Sequence, residues 1–104
     1  MKVMVIGGTR FLGKAIVNGL LARRHEVTVV HRGRTALKAG GVKEVLLDKS
    51  DRKAFGDLLG GARCDAVIDT ILSADDLRFA IPILKGRIKR FIHCGSTGVY
   101  APMK

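Results

Sequence analysis

Three glycines near the start of the chain have a spacing that suits a phosphate group. Gly7 and Gly8 directly follow a short apolar run, and Gly13 lies within the amphipathic run that comes next. We assign the sharp turn to Gly7, added backbone freedom to Gly8, and close helix–strand packing to Gly13. A strand, a glycine-rich turn and a helix N-terminus together offer backbone N–H groups to a phosphate. The spacing therefore predicts a nucleotide-binding turn, with a purely structural tight turn as the alternative.

A basic segment stands where a second strand is expected to end. Residues 27–30 are β-branched, and His31, Arg32, Gly33 and Arg34 follow without an acidic residue. In an NAD site a carboxylate usually accepts hydrogen bonds from the adenosine ribose at this point. Arg32 and Arg34, together with Arg10, can instead bind a 2′-phosphate through charge-assisted hydrogen bonds. The segment favours NADP over NAD, and arginines that are merely exposed in a loop are the alternative.

The composition predicts one compact, positively charged domain. The chain has 104 residues, 47% of them hydrophobic, with 19 Lys and Arg against 9 Asp and Glu and a formal net charge of +10. Such an excess attracts anions, whether a phosphorylated cofactor, an acidic metabolite or nucleic acid. No apolar run approaches the roughly 18 to 20 residues that a membrane span needs, and no signal peptide is recognisable. We therefore expect a cytoplasmic protein.

The two cysteines and three histidines are scattered along the chain. Cys64 and Cys94 lack the spacing of metal ligands, both with respect to each other and with respect to a histidine. We expect reduced, mostly buried thiols and no metal site.

Apolar strands alternate with helical patterns along the whole chain. Strands are predicted over residues 2–6, 27–30, 42–47, 65–69 and 88–94, and the first helix over 11–23. A second helix is capped by Asp51 and closed by Gly60 and Gly61, and a third opens with a Ser73/Asp76 capping box. We expect Pro82 to kink or end that third helix.

This alternation predicts an α/β fold, a doubly wound parallel sheet of about five strands in the order 3-2-1-4-5. The ligand crevice would lie at the carboxyl ends of the first and fourth strands. The fifth strand would be an exposed edge, and we therefore expect self-association through it.

Five segments together resemble the short-chain dehydrogenase/reductase superfamily, in its extended and atypical branch of NAD-dependent epimerases/dehydratases. They are VIGGTRFLG at 5–13, HRGRT at 31–35, the Asp48 and Asp51 pair, DAVIDT at 65–70 and STGVY at 96–100. The resemblance covers nearly the whole chain in order. It implies a Rossmann-type fold. Arg10 departs from the usual middle glycine, but it matches a GGTRF subgroup that includes chloroplast stem-loop RNA-binding proteins.

The resemblance also implies roles for individual residues. The pyrophosphate would lie at the glycine-rich turn, the 2′-phosphate at the segment after the second strand, the adenine amino group at Asp48, and the nicotinamide ribose beside Thr70 and Ile71. The predicted cofactor-binding residues are Gly7, Gly8, Thr9, Arg10, Phe11, Leu12, Gly13, His31, Arg32, Arg34, Asp48, Thr70 and Ile71.

The catalytic residues that the resemblance implies are Ser96 and a Tyr-x-x-x-Lys pair, for which Tyr100 and Lys104 are the candidates. Four-residue spacing puts such a pair on one face of a helix. In the family, however, the tyrosine normally lies more than a dozen residues after the serine, and one at the position of Tyr100 belongs to the strand-end segment. We therefore interpret residues 1–104 as the NAD(P)-binding domain of a longer epimerase/dehydratase or reductase-like enzyme, without its C-terminal substrate domain.

By itself such a domain would be inactive or nearly so. The alternative is an RNA-binding module on the same fold, which the net charge favours and the scarcity of aromatic residues disfavours.

Overall fold

The protein forms one twisted six-stranded sheet with helices on both faces. The structure, a computed structural model, describes residues 1–7, 11–33, 41–94 and 100–102. The strand order is β3-β2-β1-β4-β5-β6. The strands are β1 (Lys2–Ile6), β2 (Glu26–His31), β3 (Val42–Leu46), β4 (Ala66–Asp69), β5 (Arg90–His93) and β6 (Tyr100–Pro102).

Strands β1 to β5 are parallel and confirm the predicted order 3-2-1-4-5. Their register aligns Ile6 with Asp69, and Asp69 with His93, so three neighbouring strands end at one level. The two central strands, β1 and β4, are buried and apolar on both faces, as expected for a parallel sheet covered on each side. The carboxyl ends of β1, β4 and β5 therefore lie level with one another beside the predicted crevice.

The prediction of an exposed fifth strand was wrong. Strand β6 pairs antiparallel with β5, and Ile92 lies opposite Tyr100. The outer backbone groups of β5 therefore pair within the chain, and the exposed edge proposed for self-association is covered. A three-residue strand is too short to show an alternating pattern that a sequence reading could detect.

Within the described ranges, three helices lie on the faces of the sheet: α1 (Phe11–Ala22), α2 (Arg52–Gly60) and α3 (Ala74–Leu84). The Asp51 side chain accepts a hydrogen bond from the Ala54 N–H and caps α2, and the predicted capping box opens α3. Pro82 does not end α3, which continues to Leu84. Pro82 is exposed, and the fully buried Leu84 side chain anchors the last turn. The tertiary contact thus outweighs the lost backbone hydrogen bond.

The core has two halves, one on each face of the sheet. On one face, Phe55 and Leu59 of α2 and Leu84 of α3 pack with alternate strand residues such as Val67 and Phe91. On the other face, Val17 of α1 packs against Val3, Val5, Val27 and Val29. No helix among the described residues is long and apolar enough to span a membrane.

Candidate functional site

Gly7 makes the first turn at the carboxyl edge of the sheet. Its φ is +87°, a value that L side chains rarely adopt. Its N–H donates to the Val30 carbonyl at 2.7 Å, which joins the turn to β2. A Cβ at this position would lie 2.6 Å from Cγ2 of Ile71 and 2.8 Å from Oγ1 of Thr70. The predicted turn at Gly7 is confirmed, and it lies directly against the end of β4.

Thr70 fastens the end of β4 to that turn. Its N–H donates to the Ile6 carbonyl at 3.1 Å, and its hydroxyl lies 3.2 Å from the Ile6 carbonyl and 3.0 Å from the Gly7 carbonyl. The next residue, Ile71, is a large apolar side chain that remains 41% exposed. The structure thus brings three predicted site residues together: Gly7, Thr70 and Ile71.

His31 ends β2 and faces inward. Its ring is 6% exposed, and Nδ1 accepts a hydrogen bond from the Gly33 N–H at 3.0 Å. Because Nδ1 is the acceptor, the ring proton of neutral His31 lies on Nε2, which is 3.5 Å from Oε2 of Glu44. Gly33 adopts a φ of +85°. The observed contacts of His31 therefore shape the turn that leaves Arg32 exposed to solvent.

Asp48 follows β3 and is also exposed. Its Oδ1 accepts hydrogen bonds from the Ser50 N–H at 2.9 Å and from the Ser50 hydroxyl at 2.7 Å. These bonds lower the pKa of Asp48, and the nearby positive charge of Arg32 lowers it further. Strands β2 and β3 pair in parallel with His31 opposite Leu46, so Arg32 and Asp48, predicted to contact two parts of the adenosine, follow neighbouring strands at the same edge of the sheet.

A buried carboxylate–imidazole pair lies beside this crevice, and the sequence reading missed it. The Asp69 side chain is fully buried; Oδ1 accepts from the Ile71 and Leu72 N–H groups at 3.0 and 2.7 Å. Its Oδ2 lies 2.6 Å from Nδ1 of His93. Asp69 therefore fixes the turn after β4 and the ring at the end of β5. A polar residue at the last position of two adjacent parallel strands was the available signal.

The cysteines are free thiols that are partly buried. Burial raises the pKa of Cys64 and of Cys94, and Asp65 and Asp69 respectively add to the effect. Both thiols thus resist ionisation, the opposite of what a nucleophilic cysteine needs. Within the described ranges, no group of three His, Cys, Asp or Glu side chains could hold a metal ion.

The remaining predicted site residues are described only in part. Gly13 is buried within α1, Phe11 and Leu12 begin that helix, and Tyr100 begins β6. Because Lys104 lies outside the described residues, the Tyr100 and Lys104 pair stays a prediction. Outside the described residues lie Gly8, Thr9, Arg10, Arg34, Ser96 and Lys104.

The chain matches the model of the NAD dependent epimerase/dehydratase family over residues 3–83. This match covers more than half of the chain and includes Gly7, the end of β2 and the β4–α3 turn. The parallel arrangement of β3-β2-β1-β4-β5 with helices on both faces is a Rossmann-type fold. The chain belongs to the NAD dependent epimerase/dehydratase family.

Individual relatives agree with this assignment. The chain is 39% identical over 70 residues to the 2'-dehydrokanamycin reductase of Streptomyces kanamyceticus, covering 66% of this chain and 20% of that protein. It is 28% identical over 115 aligned positions to the chloroplast stem-loop binding protein of 41 kDa b of Arabidopsis thaliana, covering 95% of this chain and 30% of that one. The chain therefore spans less than a third of the length of these relatives.

A solved structure confirms the same fold. The leucoanthocyanidin reductase of Vitis vinifera, solved as a ternary complex, superposes with a TM-score of 0.71 and 25% identity. The superposition covers 88% of this chain and 32% of the reductase.

Proposed function

We propose that this chain binds a nicotinamide dinucleotide across the ends of β1 and β4, with NADP preferred to NAD. The observation that carries the proposal is the Gly7 turn. It combines a positive φ, a position at the carboxyl end of β1, and a contact with Thr70 and Ile71 so close that a Cβ would overlap both side chains. A tight glycine turn of this kind directs the chain from the first strand into the helix whose N-terminus can bind a pyrophosphate. Membership in the family supports the same ligand class.

The pyrophosphate would lie between Gly7 and the start of α1. The first turn of α1 contains no acidic residue, so the partial positive charge at the helix N-terminus is not neutralised there. In this proposal residues 8–12 also contact the pyrophosphate.

The adenosine end would lie over β2 and β3. Arg32 is exposed just beyond β2, where an NAD site would carry a carboxylate. Arg32 and Arg34 would bind the 2′-phosphate, and Asp48 would accept a hydrogen bond from the adenine amino group. The parallel register of β2 and β3, with His31 opposite Leu46, supports a shared location.

The nicotinamide end would lie beside Thr70 and Ile71. When bound, the nicotinamide supplies hydride transfer to or from a carbonyl or alcohol carbon. The residues of this chain would bind and orient it, and Ser96 is the candidate for a contact with the reacting group. Because Tyr100 lies in a strand, we propose that the chain serves as the cofactor-binding part of a longer epimerase/dehydratase or reductase-like enzyme. By itself it would be inactive or nearly so.

Calorimetric titration with NADP and NAD at moderate salt tests the proposal. We expect NADP to bind more tightly, and the double variant Arg32→Ala/Arg34→Ala to lower its affinity to that of NAD. The double variant Arg63→Ala/Arg87→Ala is the matched control, because it also removes two positive charges, from exposed residues before β4 and β5 at the opposite edge of the sheet. An unchanged NADP affinity in the Arg32→Ala/Arg34→Ala variant would refute the 2′-phosphate contact. Failure of the wild-type chain to bind either dinucleotide would refute the proposed function.

RNA binding is the alternative function, favoured by the net charge and by the name of the Arabidopsis relative. A titration with a stem-loop RNA over a series of salt concentrations tests it. Steep loss of affinity with salt, and equal affinity for an unrelated polyanion, would identify nonspecific attraction. Sequence preference in a chain that binds no dinucleotide would favour the alternative. The cytoplasmic location stays a prediction from the sequence.

A further inference from the structure

Asp76 is a buried carboxylate at the start of α3 that contacts a different segment of the chain. Its side chain is 5% exposed and accepts hydrogen bonds from the Lys49 ammonium, from the Arg52 guanidinium at 2.8 Å and from the Ser73 N–H at 2.9 Å. Lys49 precedes α2 and Arg52 is its first residue. We call Lys49, Arg52 and Asp76 the Asp76 cluster. It joins the β3–α2 loop to the β4–α3 turn.

These two segments lie on either side of the proposed dinucleotide site, the β3–α2 loop at its adenosine end and the β4–α3 turn at its nicotinamide end. In the sheet, β2 and β1 lie between β3 and β4. The loop after β3 and the turn after β4 therefore flank the carboxyl ends of the two middle strands. The distance between this loop and this turn limits the size of a ligand that can lie between them.

Hydrogen bonds within the β3–α2 loop and within the β4–α3 turn link the Asp76 cluster to the residues of the proposed site. On one side, the Arg52 guanidinium also donates to the Lys49 carbonyl at 3.2 Å, and the Asp51 N–H donates to the Asp48 carbonyl at 3.0 Å. On the other side, Ser73 follows the Ile71–Leu72 segment that Asp69 holds. A shift of the cluster would therefore move Asp48 relative to Ile71.

The cluster is held in place by packing as well as by charge. The Arg52 guanidinium lies 4.9 Å from the centre of the Phe79 ring, and Phe79 stacks on Phe55 at a centroid distance of 5.7 Å. Phe55 is fully buried. A planar guanidinium held between an aromatic face and a carboxylate has little freedom to move.

We propose that the Asp76 cluster sets the spacing between the β3–α2 loop and the β4–α3 turn, and thereby the affinity of the site for the adenosine half of the dinucleotide. This inference rests on the proposed function. Asp76, Lys49 and Arg52 are positioning residues, since they act through Asp48 at the adenine and through the Gly7 turn at the diphosphate, which Thr70 joins to the end of β4. A fixed spacing raises affinity because the site then loses little freedom when the ligand binds.

Titration with ADP tests this inference, since ADP carries the adenosine end without the nicotinamide. We expect Asp76→Asn and Lys49→Met each to weaken ADP binding about tenfold. Lys49→Arg keeps the charge and should retain most of the affinity. Lys53→Met is the matched control, because Lys53 is an exposed lysine on the first turn of α2.

A second control separates positioning from simple loss of stability. Ser73→Ala removes the hydroxyl that accepts from the Asp76 N–H at 3.2 Å but leaves both ion pairs. We expect it to lower stability by about 1 kcal/mol and to change ADP affinity by less than about twofold. If Asp76→Asn does not fold, the ADP affinity of Lys49→Met alone tests the inference.

Two results would overturn the inference: wild-type ADP affinity in Lys49→Met and Asp76→Asn, or an equal loss in Ser73→Ala or Lys53→Met. A wild-type chain that binds neither ADP nor dinucleotide would overturn the proposed function and this inference with it. If the wild-type chain binds ADP and only the variants of the Asp76 cluster bind it more weakly, the result supports both the proposed function and this inference.

Discussion

Helices α1 and α3 both begin at the carboxyl edge of the sheet, yet their first turns differ in charge. The first turn of α3 contains Asp75 and Asp76, and that of α1 contains no acidic residue. Ahead of α3, the N–H groups of residues 70–73 all donate to acceptors within the chain. The start of α3 therefore carries negative charge, and the N–H groups just ahead of it are already used, both of which disfavour an anion there.

This difference explains why the anion site is assigned to α1. Two helices at one edge are not equivalent binding sites, because one is already neutralised by carboxylates of the chain. Helix α2 has no acidic residue in its first turn, but its N-cap Asp51 supplies a carboxylate that accepts from the Ala54 N–H. A carboxylate at the N-cap or in the first turn, which can be read from the sequence, therefore marks the two helices to which no phosphate is assigned.

The largest expected effect comes from removing the carboxylate that occupies the donors ahead of α3. Asp69→Ala leaves the Ile71 and Leu72 N–H groups and His93 without their partner, and we expect it to lower the free energy of unfolding by about 4 kcal/mol. Asp75→Ala is the control: its carboxylate is 82% exposed and pairs with Arg78 on the surface. It should cost less than about 1 kcal/mol. Urea denaturation measures both, and equal costs would show that Asp69 does not hold the turn.

The second-largest effect is expected from a substitution in the glycine turn that precedes α1. Gly7→Ala forces a side chain into a positive φ and against Ile71 and Thr70, and we expect a loss of about 3 kcal/mol of stability and a loss of dinucleotide binding. Gly19→Ala is the control, because nothing lies within 4 Å of a Cβ there. It should stabilise the chain by about 0.5 to 1 kcal/mol. Urea denaturation and dinucleotide titration compare the two. A Gly7→Ala chain that binds as tightly as the control would contradict the assignment of the anion site.

The same comparison shows what a sequence can predict. The turn at Gly7, the Asp51 cap and the Ser73/Asp76 capping box were predicted correctly, since each depends on residues within a few positions of one another. The alternation of apolar runs was sufficient for the order of the five parallel strands. These features are local, or follow from general rules of sheet topology.

The missed features depend on residues far apart in the chain. The Asp69–His93 pair spans 24 positions and the Lys49–Asp76 pair spans 27, so neither has a local pattern. Asp76 was recognised only as a capping residue, although the same carboxylate also binds Lys49 and Arg52. The continuation of α3 past Pro82 depends on the burial of Leu84, a tertiary contact that a residue's own propensity does not reveal.

The smallest expected effect concerns the acid dependence of the α3 start. Burial alone raises the pKa of Asp76, but the bonds from Lys49, Ser73 and Arg52 outweigh it and hold the pKa well below its ordinary value of 3.8. A carboxyl group with a lowered pKa stabilises the fold above its unfolded-state pKa, and this contribution is lost as the pH falls below about 4. We expect Asp76→Asn to be about 2 kcal/mol less stable than wild type at pH 7, with the difference shrinking progressively below pH 4. Urea denaturation at a series of pH values measures this difference. A constant gap down to pH 2 would show that the charge of Asp76 is not what stabilises the start of α3.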